Sequence, residues 1–326
     1  MHFTDHITIK HIYSSVVCED WTIFVIIATV ALYLYDGYII CDWRRAGKLA
    51  TYELFTENAA YQSLAALKTN RNKRHKTRSF FVEGVRNINA AERFGWHFNA
   101  FMYGGGTILS NWAKDILSRH KDADFYALAP GLMNKLSSKT DSSEIVAIIR
   151  MRNDADAFPA GGPQNANPVY VLFDRPSGKG NLGAVIRSCD AFGVKALYRT
   201  GHSVDFYDPE VIASSVGSFF AAPFYALEQS GDVDRLISAL RHIHPGIQII
   251  GTSAHGERRV FEADLTGPLL FLIGNETDGL SWRLKQISDI VVAIPMSGGS
   301  FASSLNVSCA ATALLYEAYR QRSSMK

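Results

Sequence analysis

Cysteine is scarce in this chain. Cys18, Cys41, Cys189 and Cys309 are the four among 326 residues, and no two of them form a CxxC pair. A disulfide-stapled scaffold and a cysteine-rich zinc site are therefore excluded, and the usage fits a reducing cytosol. Net charge is nearly absent as well: 33 Lys and Arg against 31 Asp and Glu leave +2, so attraction to a polyanion must come from local clustering. With 20% charged and 47% hydrophobic residues, the chain is not mostly disordered, and its length favours two domains. Several chemistries also lack their residues. There is no Walker loop, and Ser300 in GGSFA lacks the second glycine of a nucleophile elbow. His242, His244 and His255 have no carboxylate partner in the pattern, so they read as solvent-exposed loop histidines and no metal site is expected.

What is present begins with an uncharged apolar run at 21–35, WTIFVIIATVALYLY, which reaches residue 40 only by including Asp36. A helix of this length, at about 1.5 Å per residue, covers some ~22 Å, short of a roughly 30 Å hydrocarbon core. A carboxylate inside the span costs about 2.5–3.5 kcal/mol. The arithmetic leans against a membrane anchor at 21–40 and leaves a docked helix or a dispensable extension for residues 1–51. If the run does span, Arg44, Arg45 and Lys48 keep the rest of the chain on the cytoplasmic side. Asp5, Glu19 and Asp20 before it, and no cleavage site after it, argue against a secretory signal.

Globular patterning runs over 52–152 and again over 169–326, separated by 153–168 (NDADAFPAGGPQNANP), whose Ala, Asn, Gly and Pro read as a linker. The first unit shows a helix over 59–67, strands over 80–82 and 144–149, and a helix near 109–119. In the second, apolar runs at 169–173, 196–200, 247–251, 269–274 and 290–295 alternate with helical stretches, the last from 305 to about 320. Near-continuous apolar strands alternating with helices predict an α/β fold with a parallel sheet covered on both faces.

Gly178, Gly180 and Gly183 form GxGxxG after the strand VYVLF, and Asp205 stands about where a dinucleotide-binding fold places its acid. By itself this leaves two readings open: a nicotinamide or flavin oxidoreductase, or a glycine-rich turn with no ligand. Three ordered segments add more: 181–193 (NLGAVIRSCDAFG), 272–281 (LIGNETDGLS) and 294–308 (IPMSGGSFASSLNVS). Together they resemble the signature motifs of the SpoU/TrmH-type RNA 2′-O-ribose methyltransferases of the SPOUT superfamily. The resemblance covers essentially all of 169–326 and implies a SPOUT-like sheet with a C-terminal trefoil knot, a homodimer, and S-adenosylmethionine as methyl donor.

Carried onto this sequence, the resemblance implies a catalytic set of Arg187, Asn181, Glu276, Ser304 and Asn306. It implies a cofactor site of Thr252, Ser253, Ile273, Gly274, Asn275, Glu276, Gly279, Ile294, Met296, Ser304 and Leu305. The residues themselves suit such a site. Gly274 and Gly279 let the backbone approach a flat base, and Leu272, Ile273, Ile294 and Met296 read either as adenine-slot walls or as plain strand-end core. The family proposes a general base at the place of Arg187. An arginine stays protonated, so the safer role is to hold the target phosphate and stabilise a developing 2′-oxyanion. Asn181 reads also as a helix cap, Ser304 and Asn306 as ordinary N-caps, and Glu276 as a carboxylate at a helix N-terminus. Departures from the family pattern are Glu210 and Ala213, where basic residues are common, and Thr277 and Asp278 after the motif-two glutamate.

Within the first unit, Lys68, Arg71, Lys73, Arg74, Lys76 and Arg78 fall in eleven residues with no acid among them. The run reads as an RNA-binding patch or as a solvated face. With 80–86 (FFVEGVR), 132–138 and 145–148, it resembles the smaller α/β RNA-recognition domain that many of these methyltransferases carry, related to a ribosomal-protein fold. That domain favours rRNA over tRNA as substrate, and the location expected for the protein is the cytoplasm. An RNA-binding protein with a decayed transferase domain is the non-enzyme alternative.

Overall fold

The computed structural model describes residues 39–40, 51–137, 143–152, 157–159 and 167–324. The run at 21–40 lies outside them except for Ile39–Ile40, and so does most of 153–168. Among the described residues no helix is long and apolar enough to cross a membrane.

The first unit is a mixed six-stranded sheet. Strands β1 (Ile39–Ile40), β2 (Thr51–Leu54), β3 (Ser79–Glu83), β4 (Phe98–Gly104), β5 (Asp124–Leu128) and β6 (Ile145–Arg150) take the order β1-β2-β5-β4-β6-β3. Helices α1 (Ala59–Thr69), α2 (Arg71–Thr77), α3 (Val85–Arg93), α4 (Asn111–Arg119) and α5 (Pro130–Leu136) flank it. Asn58 caps α1 by accepting from Tyr61 N–H, and Asn70 both ends α1 and caps α2 through Lys73 N–H. The basic run is thus the end of one helix and the whole of a short second one.

The second unit carries β7 (Val169–Phe173), β8 (Ala196–Thr200), β9 (Phe224–Leu227), β10 (Gln248–Thr252), β11 (Arg258–Arg259), β12 (Leu269–Ile273) and β13 (Ile290–Ala293) in the order β11-β13-β10-β12-β7-β8-β9. Every pairing in this sheet is parallel. Side chains alternate between its faces. Val169, Val171, Phe173, Leu269, Phe271 and Ile273 join one buried cluster, with residues of α6 (Lys179–Ala191) and α11 (Val307–Ser323). Tyr170, Leu172, Leu270 and Leu272 join another, under α9 (Asp232–Ile243). Burial on both faces is why these strands contain no polar alternation. Helices α7 (Pro209–Ser215) and α8 (Ser218–Ala221) follow β8, and α10 (Trp282–Gln286) lies between β12 and β13.

The two units pack together. One face of the first sheet has its own core, with Tyr61, Leu67, Phe81, Met102 and Ile148. The other face contributes Phe80, Val82, Trp96 and Phe101 to the same buried cluster that holds Val171, Phe219 and Phe220 of the second unit. Phe80 stands 4.9 Å from the Tyr207 ring and 5.7 Å from that of Phe219, and Trp96 Nε1–H donates to Phe220 C=O at 2.9 Å.

An ion-pair network closes this seam and corrects one expectation. Arg74 is 1% exposed. Its Nε donates to Asp205 Oδ2 at 2.9 Å, its Nη2 lies 3.5 Å from Asp208, and its Nη1 donates to Leu67 C=O. Arg74 is therefore a structural cation joining the units, not an RNA contact, because removing a paired guanidinium from water requires that its partner stay with it. Asp205, also within 3.0 Å of His75 Nε2, is equally committed, so it is not the ribose-binding acid of a dinucleotide fold. The histidine expectation changes too: His242 is exposed, but His244 is buried against the Tyr170 hydroxyl at 3.2 Å.

Candidate active site

The chain order reverses around β7: β8 and β9 extend the sheet one way, while β12, β10 and β13 lie on the other side. Ligands of open α/β sheets bind beyond the strand carboxyl ends near such a reversal. There, the residues after β10, β12 and β13, together with the start of α11, enclose a cavity of about 370 Å³, within the range of small-molecule sites. All of the cofactor residues expected from the sequence line it: Thr252 and Ser253 at the end of β10, Ile273 to Glu276 and Gly279 at and beyond the end of β12, Ile294 and Met296 after β13, and Ser304 and Leu305 before α11. Leu272 does not; it is fully buried core.

The loop after β12 is tight. Asn275 and Gly279 exchange backbone hydrogen bonds at 2.9 and 3.0 Å, and Gly279 has φ +68°. A Cβ on Gly274 would lie 2.2 Å from Leu280 N, so only glycine fits there. Thr252 Oγ1 donates to Leu272 C=O at 2.8 Å and ties the β10 end to the β12 end.

Beside the cavity, the GxGxxG turn has an occupant of its own. The Glu276 carboxylate accepts from Gly178 N–H at 2.8 Å, from Ser177 N–H at 2.9 Å and from the Ser177 hydroxyl at 2.9 Å. A side chain nearly a hundred residues away thus fills the anion position at the N-terminus of α6, where a dinucleotide fold would put its pyrophosphate. Burial pushes the Glu276 carboxyl up, but the Ser177 and Gly178 amides, its own amide and the Ser177 hydroxyl outweigh this and hold it below the usual range.

From Glu276 the network continues. Asn181 Nδ2 donates to Glu276 Oε1 at 3.3 Å, and Asn306 Nδ2 donates to Asn181 Oδ1 at 3.1 Å. Asn306 also caps α11, accepting from Ser308 and Cys309 N–H. The N-cap of α6 is Gly178, so Asn181 sits inside the first turn and its side chain serves the network instead of capping the helix as expected. Three members of the expected catalytic set are linked in this way, and Ser304 lines the neighbouring cavity. Arg187 stands on the exposed face of α6, about 9 Å along the axis from Asn181. Among the described residues no hydrogen bond or ion pair holds its guanidinium, including with Asp190.

Residue-pattern reasoning missed Asp174 and Arg175, although a position just past β7, the strand at which the chain order reverses, is the signal that points to them. Asp174 is buried, accepts from the Thr200 hydroxyl at 2.7 Å and from Ser281 N–H at 2.9 Å, and joins the ends of β7, β8 and the motif-two loop. Arg175, at φ +49°, accepts at its carbonyl from Asn275 Nδ2 at 2.7 Å.

This geometry can be set beside known proteins. Residues 168–316 match the SpoU rRNA Methylase family, and residues 58–147 match the SpoU L30e-like domain. A 23S rRNA (uridine(2479)-2′-O)-methyltransferase of Streptomyces viridochromogenes is 42% identical over 84% of this chain and 93% of its own length. The crystal structure of the SpoU methyltransferase AviRb from the same organism, in complex with the cofactor AdoMet, superposes with a TM-score of 0.74 at 43% identity, over 82% of this chain and 99% of that one. The crystal structure of an RNA 2′-O ribose methyltransferase superposes at 0.67 with 28% identity, over 83% and 99%. A parallel α/β domain with a site beyond its strand ends, joined to a smaller α/β domain, defines the class. The chain belongs to the SpoU rRNA methylase family.

Proposed function

We propose that this protein transfers a methyl group from S-adenosylmethionine to a ribose 2′-hydroxyl of ribosomal RNA. The observation that carries the reading is the Glu276–Asn181–Asn306 network. It joins all three ordered segments at the edge of one cavity and fills the helix N-terminus that a dinucleotide would need. The cavity suits the donor: Ile273, Ile294 and Leu305 offer apolar walls to an adenine, and the tight Gly274–Gly279 loop brings main-chain groups to its edge.

When bound, the sulfonium supplies the methyl group for displacement by the ribose oxygen. Arg187 holds the target phosphate and stabilises negative charge developing on the 2′-oxygen. Because a guanidinium stays protonated, the hydroxyl proton passes to phosphate or water. Asn181 and Asn306 hold the start of α6 against the start of α11, and Glu276 fixes the cofactor loop to that same turn. Lys73 and Lys76 contribute to RNA affinity from the surface of the first unit, with Arg71, Arg78 and Lys68 in lesser roles, since Arg71 already donates to Ser203 C=O, Arg78 to Arg152 C=O and Lys68 to Leu136 C=O. We place the protein in the cytoplasm as a homodimer, with rRNA preferred to tRNA because of its L30e-like first unit.

Calorimetric titration with S-adenosylmethionine and, separately, with NADH tests the reading. The methyl donor is expected to bind and NADH not to bind; the reverse would restore the oxidoreductase reading.

A further inference from the structure

At the seam between the two units, on the side of α6 that carries Arg187, lies an open groove of about 720 Å³. Its first wall is α3, with Arg86, Asn89 and Arg93, and Phe94 just beyond the helix end; its second includes Asp190 of α6 and Gly217 before α8. The walls approach closely because Gly217, at φ +97°, has no side chain: a Cβ there would lie 3.3 Å from Ala90 Cβ.

We infer that this groove guides a single-stranded segment of the RNA substrate to Arg187, with Arg86 and Arg93 on its phosphates and Phe94 against an unstacked base. The inference rests on the methyltransferase reading above and adds the path of the substrate. Three observations support it. Arg86 and Arg93 are both exposed, and among the described residues neither guanidinium is held by a hydrogen bond or an ion pair, in contrast to Arg71 and Arg74 of the basic run. They lie seven residues apart on one helix face, about 10.5 Å along the axis, which is roughly three nucleotides of a stacked strand at ~3.4 Å each. Phe94 is 40% exposed at the rim, with the Arg93 guanidinium 5.5 Å from its ring centre, the pairing of aromatic face and cation that takes a base without reading its sequence.

Asp190 fixes the direction. It is the acid of the groove lining and lies one helical turn from Arg187 on the exposed side of α6. A carboxylate repels phosphate and accepts from hydroxyl groups, so the phosphates follow α3 while the sugar edge turns towards α6. Arg86, Arg93 and Phe94 are thus positioning residues for the transfer.

The test is methyl transfer to a protein-free 23S rRNA transcript, at varied RNA and KCl concentrations, with the full-length chain. R86A/R93A is expected to raise KM for RNA on the order of tenfold with kcat little changed. It should also flatten log(kcat/KM) against log[KCl] by about 1.4, since each lost single-strand phosphate contact is worth roughly 0.7. F94A is expected to raise KM without moving the slope, and F94Y to restore it. Calorimetry should give each variant the wild-type affinity for S-adenosylmethionine, which verifies folding. Unchanged KM and slope in R86A/R93A, with an active wild type, would overturn the groove alone. An equal effect from K114A/K121A, an exposed pair outside the groove, would reduce it to bulk charge and also overturn it. A wild type that methylates no RNA would overturn the methyltransferase reading and the groove with it.

Discussion

Replacing Glu276 by Gln tests whether the chain supplies its own anion to the start of α6. The carboxylate accepts two backbone N–H groups and a hydroxyl, all within 2.9 Å. Hydrogen bonds to a charged group contribute about 1.5–3 kcal/mol each. The amide keeps one acceptor oxygen, and water reaches this half-buried site, so the net loss is about 2 kcal/mol, not the sum. At roughly 2–4 °C per kcal/mol for a large domain, Tm should fall by about 4–8 °C at pH 7. The pH dependence has a definite sign. The Glu276 carboxyl is held below its ordinary value in the folded state, so its stabilisation is fully present above the unfolded pKa of about 4.3 and is lost as pH falls through the folded value. Scanning calorimetry on both proteins from pH 7 down to pH 3 should therefore show the Tm gap closing with acid. A gap that is absent at pH 7, or that persists unchanged at pH 3, would refute the argument.

Other substitutions probe different links. R187A is expected to cut kcat by at least about a hundredfold, as loss of a transition-state charge contact does, with S-adenosylmethionine affinity unmoved; R187K should fail as well, because a point charge does not replace a planar fork, and near-normal turnover in either variant would remove Arg187 from its role. R74A leaves Asp205 buried without its main partner and should cost about 3–5 kcal/mol in a urea titration; a loss under 1 kcal/mol would mean that the seam does not depend on it. G183A places a Cβ 2.5 Å from Ser214 Cβ and 2.6 Å from Val211 C=O, so α6 and α7 must part, with an expected loss of about 1–3 kcal/mol by the same titration.

The second unit was the more legible of the two in sequence. Strands 169–173 and 196–200 are found where their apolar runs stand, because residues buried on both faces leave no polar positions to blur the ends. That the expected cofactor residues line one cavity was legible for a related reason: most of them lie at or just past a strand end, where backbone is free to meet a ligand, and Ser304 and Leu305 stand before the last helix. In the first unit, β4 (FNAFMYG) and β5 (DFYAL) escaped notice, since their burial follows neither strict alternation nor a continuous run. The basic run shows the limit of composition. Six cations in eleven residues look alike in sequence, yet Arg74 meets Asp205, 131 residues away, and goes inside. The same holds for Glu276, whose glycine partner is 98 residues off, so a GxGxxG with its anion position already filled reads like one that awaits a cofactor.

The position of the transferred methyl group tests the central claim most directly. Protein-free 23S rRNA incubated with the enzyme and methyl-labelled S-adenosylmethionine is digested to completion with alkali, and the products are separated by size. A methyl on the ribose oxygen blocks cleavage of the adjacent phosphodiester, because alkaline hydrolysis needs the free 2′-hydroxyl. The account predicts label in alkali-stable dinucleotides, and label in mononucleotides, which marks methylation of a base, would contradict it.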